Sequence, residues 1–417
     1  MNITHRQTCR ICSNPHLSEV IDLGNQYFQG SFIKEGMPPA PKRKTPNSIV
    51  RCDTSKNEKA CGLVQTKHSI PPSILYSNYW YQSGISATMK NHLKSIVDKA
   101  TQLTGASGGA VLDIASNDNT LLRNYPDSFE KYGVDPSDIA GKQTDENITV
   151  INDLFPTKRL QDEKYSNYFD IVTSIACYYD VEDPADFATN VKNLLKDDGI
   201  WIFEVAYWPL MLKNLAYDSI VNEHIIHYHL APLEIMLDTI NLKVFNAQKT
   251  TTNGGSIMVY VCKKNCDKYD STENQKNLAS IRLEEFDAAL DEESTYTEFH
   301  QKVAAQKEEL LSLIRSIKEE GKTVHLYGAS TKLNTILGYC DIGPDLIPYA
   351  AERSPEKWGG STISGIKLIS EEESRAMKPD YYLVGPYHFK QEILEREQQA
   401  RESGVKFIFP LPSVDII

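Results

Sequence analysis

Three of the ten histidines in this 417-residue chain fall in one stretch, YDSIVNEHIIHYHL, from Tyr217 to Leu230. They are His224, His227 and His229, and Glu223 stands directly before the first. A neutral imidazole accepts a proton near neutral pH, so the stretch reads as the home of a general base, with the carboxylate orienting the ring or assisting the transfer. A histidine on a helix face is more often a hydrogen-bonded structural residue, and His227 and His229 read as that. The spacing H-x2-H-x-H carries no flanking ligand set, so a metal reading has little support.

A metal is better placed at the other end of the chain. Cys9 and Cys12 sit in CRIC, with Cys52 and Cys61 following. C-x2-C turns two thiolates toward one ion, and a second pair completes a tetrahedron, here with a looser C-x8-C. Four thiolates leave no open position, so the ion is expected to be structural zinc. Cys262 and Cys266, in CKKNC, have no completing ligands and read as surface thiols.

A third constellation lies in VLDIASNDNTLL, Val111 to Leu122, and in VDPSD, where Asp135 closes a strand. No G-x-G-x-x-G is present, so a dinucleotide has little support. Asp113 could accept from a cationic amino group, and Asp135 from the two hydroxyls of a ribose. An acid in the first strand and another ending the second match the class I methyltransferase pattern for S-adenosylmethionine (SAM).

These residues need a parallel sheet to hold them. Short apolar runs (AVLDIA, KYGVD, ITVI, FDIVTSIA, IWIFEVA) alternate with helical stretches, and LKVFNAQ and SIMVYVCKK read as later antiparallel strands. ATMKNHLKSIVDKATQL places Met89, Leu93, Ile96 and Val97 on one helix face. A polar turn after Asp113 is expected to lead into a helix. The charged segment 265–320 reads as a linking helix pair, and TVHLYGAS opens a second α/β unit. The expected domains are 1–72 (zinc), 73–268 (SAM), 269–320 (helical linker) and 321–417 (Rossmann-like).

Composition narrows the partners. With 41% hydrophobic and 24% charged residues the chain is globular, and its net charge of −12 argues against a broad nucleic-acid surface. No apolar run reaches the length of a membrane span, and a cytoplasmic monomer or homodimer is expected.

The motifs CRIC…C…CGLVQ, YQSGISATMKNHL, VLDIASNDNTLL, NEHIIHYHL, NGGSIMVYV, LYGASTKLNTIL, AAERSPEKWG and YHFKQEI, in this order, resemble the sugar C-methyltransferases that act on nucleotide-linked 4-keto-deoxysugars. The resemblance spans nearly the whole chain. It implies three parts: a zinc-binding N-terminal domain, a class I SAM methyltransferase domain and a C-terminal Rossmann-like domain that helps hold the nucleotide. It implies His224, Glu223 and Tyr81 as catalytic residues, Tyr81 steadying the keto oxygen. SAM is expected against Tyr81, Gly84, Asp113, Ala115, Ser116, Asn117, Asp118, Asp135, Pro136 and Ala176. The nucleotide-diphosphate sugar is expected against Tyr178, Asn222, Asn253, Ser256, Ser330, Lys332, Asn334 and His388. The implied reaction is deprotonation beside the ketone, then methyl transfer to carbon, most readily C3.

The chain departs from the family at several places. Val221 and Asn222 replace a tyrosine and a histidine before the glutamate, Tyr178, Tyr179 and Asp180 occupy a loop that commonly carries a histidine, Asn119 replaces a glycine, and Leu333 another. An O- or N-methyltransferase is the rival enzyme, and a zinc-bearing binding scaffold the rival without catalysis.

Overall fold

A computed structural model of the chain describes residues 3–36, 44–75 and 82–417. The first main sheet is antiparallel and joins β1 (Leu17–Tyr27), β2 (Lys44–Cys52) and β3 (Val64–Thr66). Its edge is completed from far along the chain by the two-residue strand Ile226–His227, inside the histidine stretch.

α1 (Ala87–Thr104) follows, capped by the Ser86 hydroxyl and closed by Gly105 at φ 70°. It buries Leu93, Ile96, Val97 and Ala100, the single stripe its sequence promised, while Met89 is only partly buried. The second sheet then assembles from β4 (Gly109–Ile114), β5 (Phe129–Val134), β6 (Ile148–Ile151), β7 (Phe169–Ile175), β8 (Leu195–Ala206), β9 (Leu242–Thr250) and β10 (Ser256–Lys263). Its spatial order is β9-β10-β8-β7-β4-β5-β6. β4 through β8 run parallel, and β10 lies antiparallel between β8 and β9. The order reverses between β4 and β7, so the crevice at their carboxyl ends is where a ligand binds in such a sheet.

A fully buried aromatic nest of Tyr178, Trp201 and Phe203 packs beneath that crevice against Phe187 of α2 (Pro184–Leu194). Truncating one such ring to alanine costs about 3–5 kcal/mol.

The helix expected after β4 is not formed: Leu122–Asn124 is one 3-10 turn. Asn117 and Asn119 hold positive φ, and Pro126 bars the α conformation at Tyr125, leaving too little chain for a helix. Cys262 and Cys266 are buried rather than on the surface, because β10 is an interior strand and the turn after it folds back under β9.

The charged segment forms two helices, each packed into a core. α3 (Thr272–Asp287) places Leu278 and Ile281 in the core of the second sheet. α4 (Glu293–Glu319) places Tyr296, Phe299, Val303 and Leu310 in a core shared with Trp208 and the third sheet. That sheet contains β11 (Val324–Tyr327), β12 (Tyr349–Glu352), β13 (Lys367–Ser370), β14 (Tyr381–Val384) and β15 (Lys406–Phe409), with α5 (Thr331–Tyr339) after β11. The N-terminal strand Phe32–Ile33 reaches across to pair with Ser361–Thr362 at its edge. Among the described residues, no helix is long and apolar enough to cross a membrane.

Candidate active site

The four N-terminal thiols converge. Cys9 Sγ lies 3.5 Å from Cys61 Sγ, Cys12 Sγ lies 3.4 Å from Cys52 Sγ, and all four fall within 4.8 Å of one another. Tetrahedral zinc with Zn–S bonds of about 2.3 Å needs edges of about 3.8 Å, so the set fits that ion. Ile11 N–H points at Cys9 Sγ and Asn14 Nδ2 at Cys52 Sγ, donors that favour thiolate. Arg10, between the first two ligands, has a fully buried side chain that donates to Thr66 O at 2.9 Å, Ser69 Oγ at 2.7 Å and Glu182 at 3.3 Å. Thr66 N–H in turn donates to Ile225 O at 2.9 Å. The zinc site and the histidine stretch therefore share one small sheet.

At the crevice of the second sheet, β4 ends in a strained turn. Ala115, Asn117 and Asn119 hold φ of 64°, 50° and 61°, and Ala176, ending β7, holds 55°. Alanine resists this region, whereas glycine and asparagine adopt it more easily. Asp135 ties the turn down, its carboxylate accepting from Asn117 N at 2.9 Å and Ser137 N at 2.7 Å. Asp118 accepts from Gly84 N at 2.8 Å and Asn117 Oδ1 from Ser83 N at 3.1 Å, docking the segment before α1 over the turn. A Cβ on Gly84 would stand 2.8 Å from Asp118 Oδ2, so only glycine fits. Ser116 Oγ is buried without a partner among the described residues, and Pro136 is exposed at the rim. Asp113 accepts from Thr173 Oγ1 at 2.6 Å, and burial, with Asp135 nearby, pushes its carboxyl up to about 7.

The histidine stretch crosses this crevice. His224 Nδ1 faces Ser219 O at 3.1 Å, an acceptor only, so Nδ1 carries the proton and Nε2 holds the lone pair. The Tyr179 ring packs 4.1 Å from the imidazole, three residues beyond Ala176. His224 and Glu223 keep some accessibility inside a recess walled by protein. Desolvation there pushes His224 down to about 3, helped by His227 and Lys332, and pushes Glu223 up. In both residues burial works against the charged form. Glu223 Oε2 has no partner among the described residues, and Gly30 approaches so closely that a Cβ there would stand 2.6 Å from Glu223 Oε1.

From the other side, Lys332 on α5 donates to Asn253 O at 2.6 Å, and its charge faces buried Asp218, which accepts from Tyr387 at 3.1 Å. His388 lies beside Gly254, and burial together with Lys332 lowers it to about 4.

Comparison with known proteins now decides the family. Models of a zinc binding domain, a methyltransferase domain and a C-methyltransferase C-terminal domain match residues 9–76, 87–247 and 251–412. Together they span nearly the whole chain. The chain belongs to the SAM-dependent C-methyltransferases. C-methyltransferase NovU of Streptomyces niveus is 27% identical to it over 415 residues, 98% of this chain and 96% of that protein. Among solved structures, the PH0226 protein of Pyrococcus horikoshii OT3 is 15% identical over 44% of this chain and 95% of its own, with a TM-score of 0.35. Magnesium protoporphyrin IX methyltransferase of Synechocystis PCC 6803 is 14% identical over 43% and 88%, with a TM-score of 0.34. Scores this low carry no weight beside the sheet order.

This C-methyltransferase uses SAM and a structural zinc ion, and Cys9, Cys12, Cys52 and Cys61 are the residues that fit the metal. Tyr81 lies outside the described residues. Of the residues expected at the sugar, five have other commitments. Tyr178 is fully buried in the aromatic nest and donates to Pro184 O, so its neighbour Tyr179 meets His224 instead. Ser256 donates to Thr252 O within the turn, and Asn334 Nδ2 donates to Gln29 O at 2.7 Å. Ser330 Oγ caps α5 by accepting from Leu333 N at 3.1 Å. Asn222 is 7% exposed and is held by Gln29 and Thr45. His227 and His229 are buried, and desolvation lowers both to about 3. Sequence reasoning missed Gln29, Tyr179, Asp218 and Tyr387. Asp218 lies in the quoted histidine stretch, Tyr179 in the loop that departs from the family and Tyr387 in YHFKQEI, so each had a signal; Gln29 had none.

Proposed function

We propose that this C-methyltransferase acts on a nucleotide-linked 4-keto deoxysugar and delivers the methyl group to the carbon beside the ketone, C3. The observation that carries the reading is His224 with Nδ1–H fixed on Ser219 O and Nε2 free, next to Glu223, whose Oε2 has no partner among the described residues, in a recess between the cofactor crevice and α5. Bound SAM supplies an electrophilic methyl on a sulfonium. His224 Nε2 takes the C3 proton, and the electron pair of the broken C–H bond moves onto the ketone oxygen as an enolate. The C3–CH3 bond then forms as the methyl–sulfur bond breaks. The Tyr179 ring, packed on the imidazole, keeps His224 aimed at the carbon. Glu223, unpaired beside the histidine, orients the ring or assists the proton's departure. Asp135 takes the ribose hydroxyls of the cofactor through lone pairs left beside its two N–H bonds. Lys332 and the first amides of α5 suit the diphosphate.

The test is proton NMR in D2O with a panel of nucleotide 4-keto sugars, with and without SAM. Exchange of the ring hydrogen beside the ketone, followed by a C-methyl singlet, is the expected result. A methyl signal at an O–CH3 shift with no exchange would overturn carbon as the acceptor in favour of O-methylation.

A further inference from the structure

Gln29 belongs to the N-terminal domain, yet it ends among residues of the histidine stretch and α5. Its backbone O accepts from Asn334 Nδ2 at 2.7 Å. Its side-chain Oε1 accepts from two groups of one residue, Asn222 N at 3.2 Å and Asn222 Nδ2 at 2.7 Å. The backbone N–H of Asn222 can only donate, so the carboxamide orientation is fixed: the oxygen faces Asn222 and the NH2 faces away. That NH2, on a residue 1% exposed, has no partner among the described residues. A buried donor left unpaired costs about 1–3 kcal/mol. Folding gains nothing from that arrangement. The next residue, Gly30, lies directly against Glu223, whose Oε2 is also buried and unpaired. A lone buried donor on Gln29 and a lone buried acceptor on Glu223 thus sit on two segments joined through Gly30 and Asn222, next to His224 in the chain.

We infer that Gln29 donates through Nε2 to the ketone oxygen of the bound sugar and stabilises the enolate that forms there. This rests on the keto-sugar reading above. The chemistry suits the residue. A neutral carboxamide donor, held by two hydrogen bonds at its oxygen and one at its own backbone carbonyl, needs no reorganisation as charge grows on the oxygen. It also suits the local sequence, since Val221 is a buried aliphatic residue that offers no hydroxyl to that oxygen. The zinc-bearing domain then contributes directly to the reacting pocket, and ketones are selected over the corresponding alcohols because only the ketone generates the oxyanion.

Two variants test this. Gln29→Glu keeps both acceptor bonds to Asn222 and removes the donor; Gln29→Met keeps the length and removes both functions. The readouts are ring-hydrogen exchange in D2O, kcat, the KM for the sugar, zinc content, and SAM affinity by calorimetry. The expected result for both variants is a loss of about 10²–10³-fold in exchange and in kcat, a sugar KM changed by less, and zinc content and SAM affinity equal to wild type. Exchange and kcat within twofold of wild type in either variant would overturn the inference. So would a parallel loss of zinc or SAM affinity in both, which would make Gln29 a structural residue. If the wild-type protein exchanges no ring hydrogen with any keto sugar, the substrate reading itself fails and the assignment of Gln29 falls with it. That outcome is visible before any variant is made.

Discussion

At the cofactor end of the pocket, the polar groups that matter lie in two short stretches, 113–120 and 133–137, joined through Asp135 and Asn117 N. At the proposed substrate end they come from five, with Gln29, Asp218 and His224, Asn253, Lys332, and Tyr387 and His388 brought together through hydrogen bonds between distant segments. The cofactor end is one strand–turn–strand unit whose geometry follows from local chain direction. The substrate end exists only because distant segments dock, and four of its buried atoms, Gln29 Nε2, Glu223 Oε2, Asp218 Oδ2 and His388 Nδ1, are without partners among the described residues. Cofactor binding and base chemistry should therefore fail separately.

The largest expected effect is at the substrate end. His224→Ala is expected to lower kcat and ring-hydrogen exchange by about 10²–10⁴-fold while leaving SAM affinity, read by calorimetry, unchanged. Equal losses of both would erase the distinction between the ends. The pH profile sharpens it. Burial lowers His224 from its ordinary 6.5 to about 3. A base works when unprotonated, so the acid limb of its pH–rate profile moves below 6.5, and kcat should stay level from pH 8 down to about pH 6. A limb centred near 6.5 would mean that the imidazole is solvated in the working enzyme.

Zinc removal comes next. The strand Ile226–His227 hangs on β3, and Arg10 braces that sheet against Glu182. Chelating the ion, or replacing Cys61 by Ser, is expected to lower kcat by at least about tenfold, because structural zinc is part of the folding energy of its domain. SAM affinity should shift far less, since the four zinc thiols belong to the first sheet and its turns rather than to the turns that end β4 and β7. Full activity after confirmed metal loss would separate the zinc site from the catalytic stretch.

The two ends also differ in how much of them could be read from sequence. The strands from β4 to β10 and the acids at 113 and 135 were legible because alternation and acid placement are local signals. The missing helix after β4 was not, since helical composition there loses to two left-handed asparagines and Pro126. Tyr178 and Tyr179 look alike as letters, and only the aromatic nest decides that one is core and the other meets His224. Gln29 had no signal at all. Its meaning arises from Asn222, 193 positions away.

Asp135→Ala addresses the cofactor end alone. Losing a charged acceptor is worth about 1.5–3 kcal/mol, so the Kd for SAM should rise roughly 10–100-fold, with SAM-independent exchange of the sugar hydrogen left intact. Loss of that exchange would show the cofactor turn supporting the substrate end after all.

The smallest effect expected is a gain. Ala115 sits at φ 64°, where an L-residue pays about 1–2 kcal/mol that glycine does not. Glycine returns about 0.5–1 kcal/mol of that as chain entropy in the unfolded state. Ala115→Gly should thus stabilise the protein by about 0.5–1 kcal/mol in denaturant titration. If SAM affinity is unchanged, the strain is incidental, left by a side chain that the turn tolerates. If affinity falls as stability rises, the methyl group is holding the turn in its binding geometry, and the cofactor end too is maintained at a cost to folding, as the unpaired atoms are at the substrate end.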